Sequence, residues 1–476
     1  MLFNSMAFAI FLPIVFILYW SIPVRYRYLF LIAASYYFYM SMDIRYAVLL
    51  LFTTAASYAL ALGMEYSGST RLRKTIFLTG SMLLLAPLFL FKYSHMLFPM
   101  LPATLQFMLP VGISFYTFQT LGYLIDVYRK KYPAERRFGR YCLFVSFFPQ
   151  LLSGPIGRGG SLLPQLEKLH SFDPSQASYG LKLMAVGYYK KLVVAALLVP
   201  TVDAVYDNPD SYIGLIYIIA TVLFAIQIYC DFSGYTDIAI GCAMLFGIRL
   251  SDNFKSPYFS RSIKEFWSRW HISLSTWFRD YIYIPLGGSR NGRFRHALNL
   301  LFTFLISGIW HGAGITYIIW GGLHGLYQIL ENLFIPLRKK GCKEKGPFRN
   351  SKNTGGMITG FLTFLAVCFA WIFFRANDLT DAWRIISTSF SGITDLEQYL
   401  KTAVICLDMT YGHMVYIGIP LLLLAIYDYA SLKTDVIAYI SSRKIWIRYP
   451  AYILFLLAIL LFSEKGVSTE FYYFQF

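Results

Sequence analysis

The 476-residue chain is predicted to be an all-α polytopic membrane protein, and three observations predict it. Hydrophobic residues fill 57% of positions and charged residues only 14%, against about a quarter charged in an ordinary soluble domain. Mean hydropathy is +0.52. Apolar runs long enough to cross or enter a bilayer recur from end to end, separated by loops that alternate between strongly basic and nearly neutral.

The elements follow in order. The first run, 6–20, has no basic residue before it and no small-residue cleavage site after it. It reads as a first membrane helix and not as a removed signal peptide. Further candidate spans are 28–40, 46–64, 75–91, 106–124, 177–200, 212–230, 235–246, 297–312, 315–333, 357–374, 415–429 and 451–462. A span takes about 20 mainly apolar residues, and several of these are shorter. The expectation is therefore about 11–13 spans with some short re-entrant or interfacial helices. The whole chain reads as one membrane domain, with N-terminal helices at 1–140, a catalytic core at 141–335, and C-terminal helices with an aromatic tail at 336–476. The loop 338–356, basic and with several glycines, is the most linker-like piece.

The net charge of +17 raises the thought of nucleic acid. The basic residues lie between the spans, however: Arg25 and Arg27, then Arg71, Arg73 and Lys74, then 129–140, 255–295 and 338–352. Cytoplasmic loops collect such charge and face anionic lipid headgroups, so the partner expected is membrane lipid and no nucleic acid. With the basic loops inside, the N-terminus lies outside; counting spans brings the C-terminal tail outside as well. The six cysteines (142, 230, 242, 342, 368 and 406) are scattered, without a CxxC pair, which fits packing better than disulfides or zinc.

Most spans are generic Leu, Ile, Phe and Ala sequence, but 229–325 is dense in polar, aromatic and glycine residues. Ionisable groups at membrane depth are costly and face a partner or a cavity, which makes them functional candidates. Asp231 and Asp237 flank Gly234 inside an apolar run, a pattern expected of a broken or bent helix lining a polar cavity. The same carboxylates also fit a structural account in which each pairs with a nearby arginine.

In 266–281, Trp267, His271, Ser275 and Arg279 recur every fourth residue and share one face of a helix. Trp270, Leu274, Trp277 and Tyr281 form an aromatic face. This helix is expected to lie at an interface or re-enter, ending at Pro285 and the turn-forming Gly287-Gly288 pair. An amphipathic helix anchored at the headgroups, with His271 as a hydrogen-bonded fixture, fits equally.

His311 stands in Ser307-Gly308-Ile309-Trp310-His311-Gly312-Ala313-Gly314, with no charge within ten residues on either side. Small neighbours let another helix or a substrate approach the backbone. Low dielectric disfavours imidazolium and leaves a neutral ring able to take a proton, as a general base for a hydroxyl nucleophile requires. A satisfied core histidine remains the competing account. No GxSxG elbow, HExxH pair, Walker loop or GxGxxG run is present. His311 and His324 lie thirteen residues apart with no carboxylate at helical spacing, so no metal is expected.

At these residues the sequence resembles the membrane-bound O-acyltransferase family, and within it the bacterial branch of alginate O-acetyltransferase membrane subunits. Peptidoglycan O-acetyltransferases and the D-alanyl transferases of teichoic acid are relatives of that branch. The resemblance runs over nearly the whole chain. It starts at Met1-Leu2-Phe3-Asn4-Ser5 and passes through Gly112-Ile113-Ser114-Phe115-Tyr116-Thr117-Phe118-Gln119 and Ser153-Gly154-Pro155-Ile156 to Asp231-Phe232-Ser233-Gly234-Tyr235. It continues through Arg269-Trp270-His271-Ile272-Ser273-Leu274-Ser275, Tyr283-Ile284-Pro285-Leu286-Gly287-Gly288 and Trp310-His311-Gly312, and ends at the tail Phe471-Tyr472-Tyr473-Phe474-Gln475-Phe476.

The resemblance implies a ring of helices around a thinned core, with His311 as the essential histidine and His271 as the second signature histidine. It implies acetyl-CoA as a cytoplasmic acyl donor, no permanently bound cofactor, and a separate extracytoplasmic SGNH-type transferase as partner. It further implies an acyl-carrying tyrosine in the tail, at Tyr473, although the family has Ile where this chain has Tyr472. The expected activity is O-acetylation of an extracytoplasmic polysaccharide from the bacterial cell membrane. In this reading Trp310, Trp267, Asp231 and Asp237 line the cavity, and Arg269, Arg279, Lys264 and Ser275 meet the donor. D-alanyl transfer, a transporter or flippase of activated acyl groups, and a scaffold for the outer transferase are the competing classes.

Overall fold

The computed structural model describes residues 1–97, 110–168, 170–338, 354–406 and 411–463. Every regular element among them is helical, and the chain divides into two compact units. The expected tail positions Tyr472 and Tyr473, the start of the 106–124 segment and most of the 338–356 loop lie outside the described residues.

The first unit comprises Met1–Tyr188 and Gly234–Asp252 among the described residues. It holds α1 (Met6–Ser21), α2 (Val24–Met40), α3 (Ile44–Tyr66), α4 (Thr70–Leu97), α5 (Ile113–Tyr128), α6 (Phe138–Ser146), α7 (Phe148–Leu151), α8 (Gly159–Glu167) and α9 (Pro174–Tyr188). Ser5 caps α1 by accepting from Phe8 N–H at 3.2 Å. α5 opens on Gly112 at φ 82°, where a Cβ would stand 2.6 Å from Leu151 O, so the glycine of this motif answers both a left-handed turn and a close approach. Further along the motif, buried Gln119 donates to Phe144 O, which also accepts from buried Gln150 beyond the motif. The motif at 112–119 thus tethers helices in this unit through side-chain amides that would otherwise be unsatisfied in an apolar interior.

The second unit comprises Tyr189–Ser233 together with the later chain from Asn253. It opens on a π-helical stretch, Tyr189–Ala195, followed by α10 (Ala196–Tyr206) and the first part of α11 (Leu215–Leu245). Then come α12 (Ile263–Arg269), α13 (Ile272–Phe278), a second π stretch (Arg279–Tyr283), α14 (Gly292–His311), α15 (Ile315–Arg338) and α16 (Thr354–Arg375). The last helices are α17 (Leu379–Thr388), α18 (Leu396–Cys406), α19 (Tyr411–Ser431), α20 (Val436–Ser441) and α21 (Ile445–Phe462).

Seven helices among the described residues have the length and apolarity to cross a membrane: Ile44–Tyr66, Thr70–Tyr93, Pro174–Tyr206, Leu215–Leu245, Gly356–Arg375, Met414–Ser431 and Ile445–Phe462. The protein is a multi-pass membrane protein. α21 shows the physical reason most plainly: it buries none of its residues, and Leu460 and Leu461 are 67% and 71% exposed. A predominantly apolar helix that leaves so much of its surface uncovered by protein needs hydrocarbon as its solvent. The remaining predicted segments fall on α1, α2, α5, α14 and α15.

Two sequence expectations need correction. The segments 212–230 and 235–246 are one helix, the 31-residue α11, with no break at Gly234. Gly234 instead serves close packing within the first unit, where a Cβ on Gly187 would stand 2.5 Å from Gly234 O. The helix expected over 266–281 is interrupted at His271, for reasons set out below.

Candidate active site

The site grows from the α14–α15 hairpin of the second unit. A Cβ on Gly308 would stand 2.3 Å from Tyr317 O, and one on Gly321 would stand 2.3 Å from Phe304 O. Neither position admits a side chain, so the two backbones lie in direct contact. The small residues around His311 thus admit a neighbouring helix. α14 ends on His311; Gly312 turns the chain away, its N–H bonded to Gly308 O at 3.3 Å. His311 is 3% exposed. Its ring packs edge-on against Trp310 at 4.7 Å, Trp320 at 4.9 Å and Phe374 at 5.2 Å, so α14, α15 and α16 all contribute to its surroundings.

His271 reaches the same region from α12 and α13. Its backbone is left-handed, at φ 43° and ψ 54°, one of three non-glycine residues among those described with positive φ. That conformation ends α12 at Arg269 and starts α13 at Ile272, so Trp267, His271, Ser275 and Arg279 do not share a helical face as the spacing implied. A non-glycine residue is held there only when its surroundings over-determine it. Asn253 supplies the hold: its Oδ1 accepts from Ser273 N–H at 3.0 Å and Ser273 Oγ at 2.9 Å, and its backbone oxygen accepts from Ile272 N–H at 2.9 Å.

These bonds also fix the protonation of His271. Ser273 N–H can only donate, so the Asn253 atom that receives it is the amide oxygen. His271 Nδ1, 3.2 Å from that oxygen, must therefore carry its hydrogen, leaving Nε2 as the acceptor nitrogen. The residue lies outside the membrane-spanning helices, and burial lowers its pKa to about 3, so the ring is neutral. A neutral His271 in this tautomer does not present an N–H at Nε2. Phe232 packs edge-on at 4.7 Å and Trp310 at 6.3 Å, linking its ring to that of His311.

Asp231 is buried and paired with Lys191, a lysine from the π stretch, where the structural account had an arginine. It is thus part of an ion pair between α11 and the π stretch. Asp237 falls in the first unit. Trp267 is buried and donates through Nε1 to His324 Nδ1 at 3.2 Å.

The expected donor-contacting residues are engaged with neighbours. Arg269 bonds Glu265 at 2.6 Å, Arg279 bonds Asp280 at 2.9 Å and Ser275 Oγ donates to Trp270 O at 3.1 Å. Lys264 is exposed, and its backbone N–H meets Glu331. The Gly287-Gly288 turn is pinned by Asn299, which donates to Leu286 O and Gly288 O.

Sequence reasoning missed Asn253, Trp320, Trp371 and the structural part of His324. Their partners are remote along the chain, so no local pattern announces them. A tryptophan and a histidine four residues apart, Trp320 and His324, were the available signal.

Helices apolar enough for lipid and buried histidines packed among aromatic rings define a membrane protein with ionisable groups in its apolar interior. Residues 137–376 match the membrane-bound O-acyltransferase family, and the chain belongs to that family. It is an O-acyltransferase. A probable alginate O-acetylase of Pseudomonas aeruginosa is 37% identical over 82% of this chain and 75% of the relative. A peptidoglycan O-acetyltransferase of Helicobacter pylori is 30% identical over 100% of this chain and 98% of its own length. A teichoic acid D-alanyltransferase of Streptococcus thermophilus is 28% identical over 66% of this chain and 79% of the relative.

Proposed function

We propose that the protein moves an acetyl group from acetyl-CoA on the cytoplasmic side to an acceptor that O-acetylates an extracytoplasmic polysaccharide, from the bacterial cell membrane. Relatives whose names specify O-acetylation match more of the chain, at higher identity, than those that carry D-alanine. That difference favours acetyl. The observation that carries the chemistry is His311 itself: a buried imidazole at the end of α14, walled by Trp310, Trp320 and Phe374.

His311 acts as general base. It takes the proton of an attacking hydroxyl, the oxygen attacks the thioester carbonyl, and the carbon–sulfur bond breaks. The imidazolium returns its proton to the departing thiolate, so CoA leaves as a thiol and the ring is neutral again. The attacking hydroxyl is that of Tyr473, and the resulting ester is handed to an exported SGNH-type transferase that completes the transfer. His271, with Nε2 as its acceptor nitrogen, holds a second donor group, distinct from the attacking hydroxyl, near His311. The apolar walls keep the activated acyl group from hydrolysis.

The test is His311→Ala, purified in detergent and assayed with labelled acetyl-CoA. Transfer should disappear while thermal unfolding stays that of the wild type. Full transfer by the variant overturns the assignment.

A further inference from the structure

The second unit contains a third buried histidine, His324, which the mechanism above does not use. It lies on α15 and is 0% exposed. Its ring packs on Trp320 at 5.1 Å, Trp267 at 5.0 Å, Phe266 at 6.2 Å and Phe304 at 6.2 Å. Trp267 Nε1 is a donor only, so the nitrogen it meets, His324 Nδ1, bears the lone pair. The hydrogen of the neutral ring is therefore on Nε2, the reverse of His271.

That Nε2–H is buried and has no acceptor among the described residues. The same holds for Nε1 of Trp320 and of Trp371, whose rings stack on each other at 5.9 Å. Buried N–H groups without an acceptor are rare in folded proteins, because each forfeits its full desolvation cost. Three in one connected cluster describe a wall rich in donors and short of oxygen. Its complement is a ligand that brings acceptors. The walls are aromatic and carry no charge, which favours a neutral carbonyl oxygen over a phosphate.

Position along the helices points to the same ligand. α14 and α15 run antiparallel, with Gly308 against Tyr317, Gly321 against Phe304 and Gly325 against Leu301. His324 therefore stands level with about residue 301 of α14. That is roughly 15 Å nearer than His311 to the basic stretch 290–295, at 1.5 Å per residue. His311 and His324 pack on the same Trp320 ring, at 4.9 and 5.1 Å.

We propose that His324 is a hydrogen-bond donor to the acyl donor: its Nε2–H, oriented by Trp267, holds a carbonyl oxygen of the thioester-linked arm and so positions the acyl group for His311. This rests on the acyl-transfer reading above. A group that binds the donor before reaction changes KM, whereas a group that only shapes the core changes the amount of folded protein.

The experiment measures steady-state transfer from labelled acetyl-CoA by the full-length protein and by His324→Phe, His324→Gln and Trp267→Phe. His324→Phe keeps the ring and removes the donor, and KM for acetyl-CoA should rise up to about tenfold with kcat little changed. His324→Gln places an amide N–H near the lost one and should restore most of the affinity. Trp267→Phe frees the tautomer and should raise KM by less. If His324→Phe does not fold, the Trp267→Phe result decides. An unchanged KM in the folded variants overturns the proposal. A wild-type protein that transfers nothing from acetyl-CoA counts against the choice of donor in the function proposed above, which is a separate failure.

Discussion

The cluster around Lys191 and the cluster around His324 lie in the same unit and are equally buried, yet they are satisfied in opposite ways. The first is charged and internally matched. Lys191 pairs with Asp231, Lys190 lies 5.5 Å from the Tyr229 ring, and Tyr229 donates to Asp428 at 3.0 Å. The second is neutral, aromatic and short of acceptors, with three N–H groups unanswered among the described residues. A closed ion cluster in an apolar interior holds helices in place and leaves nothing for a ligand to complete. An open set of neutral donors is costly until a ligand arrives, which is what a site must be if binding is to use it. Burial alone does not mark the site; unmatched chemistry does.

Substitutions separate the two clusters, and the largest effect is on catalysis. His311→Ala should lower acetyl transfer by about 10²–10⁴-fold, the usual worth of a general base, with little change in thermal unfolding. Lys191→Met should do the reverse. It leaves Asp231 buried and unpaired, costing about 3–5 kcal/mol of stability in detergent unfolding, and pairing it with Asp231→Leu should recover most of that. If the double variant stays as unstable as the single one, the pair has a role beyond neutralising itself. Gly308→Ala tests the α14–α15 hairpin. A methyl group 2.3 Å from Tyr317 O must push α14 from α15, costing about 1–3 kcal/mol and displacing His311, so activity should fall along with stability.

The smallest effect is on pH dependence. His271 is held neutral at a pKa of about 3, whereas in the unfolded chain it titrates near 6.5. Between those values the unfolded state binds more protons, so stability rises with pH across that window. Acidification from neutral pH toward 4 should lower the unfolding temperature, and His271→Gln should flatten part of that slope. An unchanged slope would contradict the neutral, buried assignment.

Much of this was legible in the sequence, because helical membrane spans announce themselves by composition. The apolar runs fell on helices, and His311 stood out because no charge lies near it along the chain. What the chain order hides is contact. The 3.6-residue period runs unbroken through 266–281, but the left-handed turn at His271 depends on Asn253, eighteen residues earlier. Gly234 looked like a helix break because glycine is a poor helix former; its backbone is instead where Gly187 packs. Asp231 left two accounts open, a cavity wall or an arginine pair; its partner Lys191 lies forty residues away. The hydrogen-bonding role of His324 comes from Trp267, fifty-seven residues away, and is invisible to any local pattern.

Acyl transfer through His311 is the central claim. Its most direct test is mass spectrometry of the C-terminal peptide after purified protein is incubated with isotope-labelled acetyl-CoA. The wild type should carry labelled acetyl on Tyr473, and both His311→Ala and Tyr473→Phe should carry none. Equal labelling of Tyr473 in the wild type and in His311→Ala would contradict the central claim.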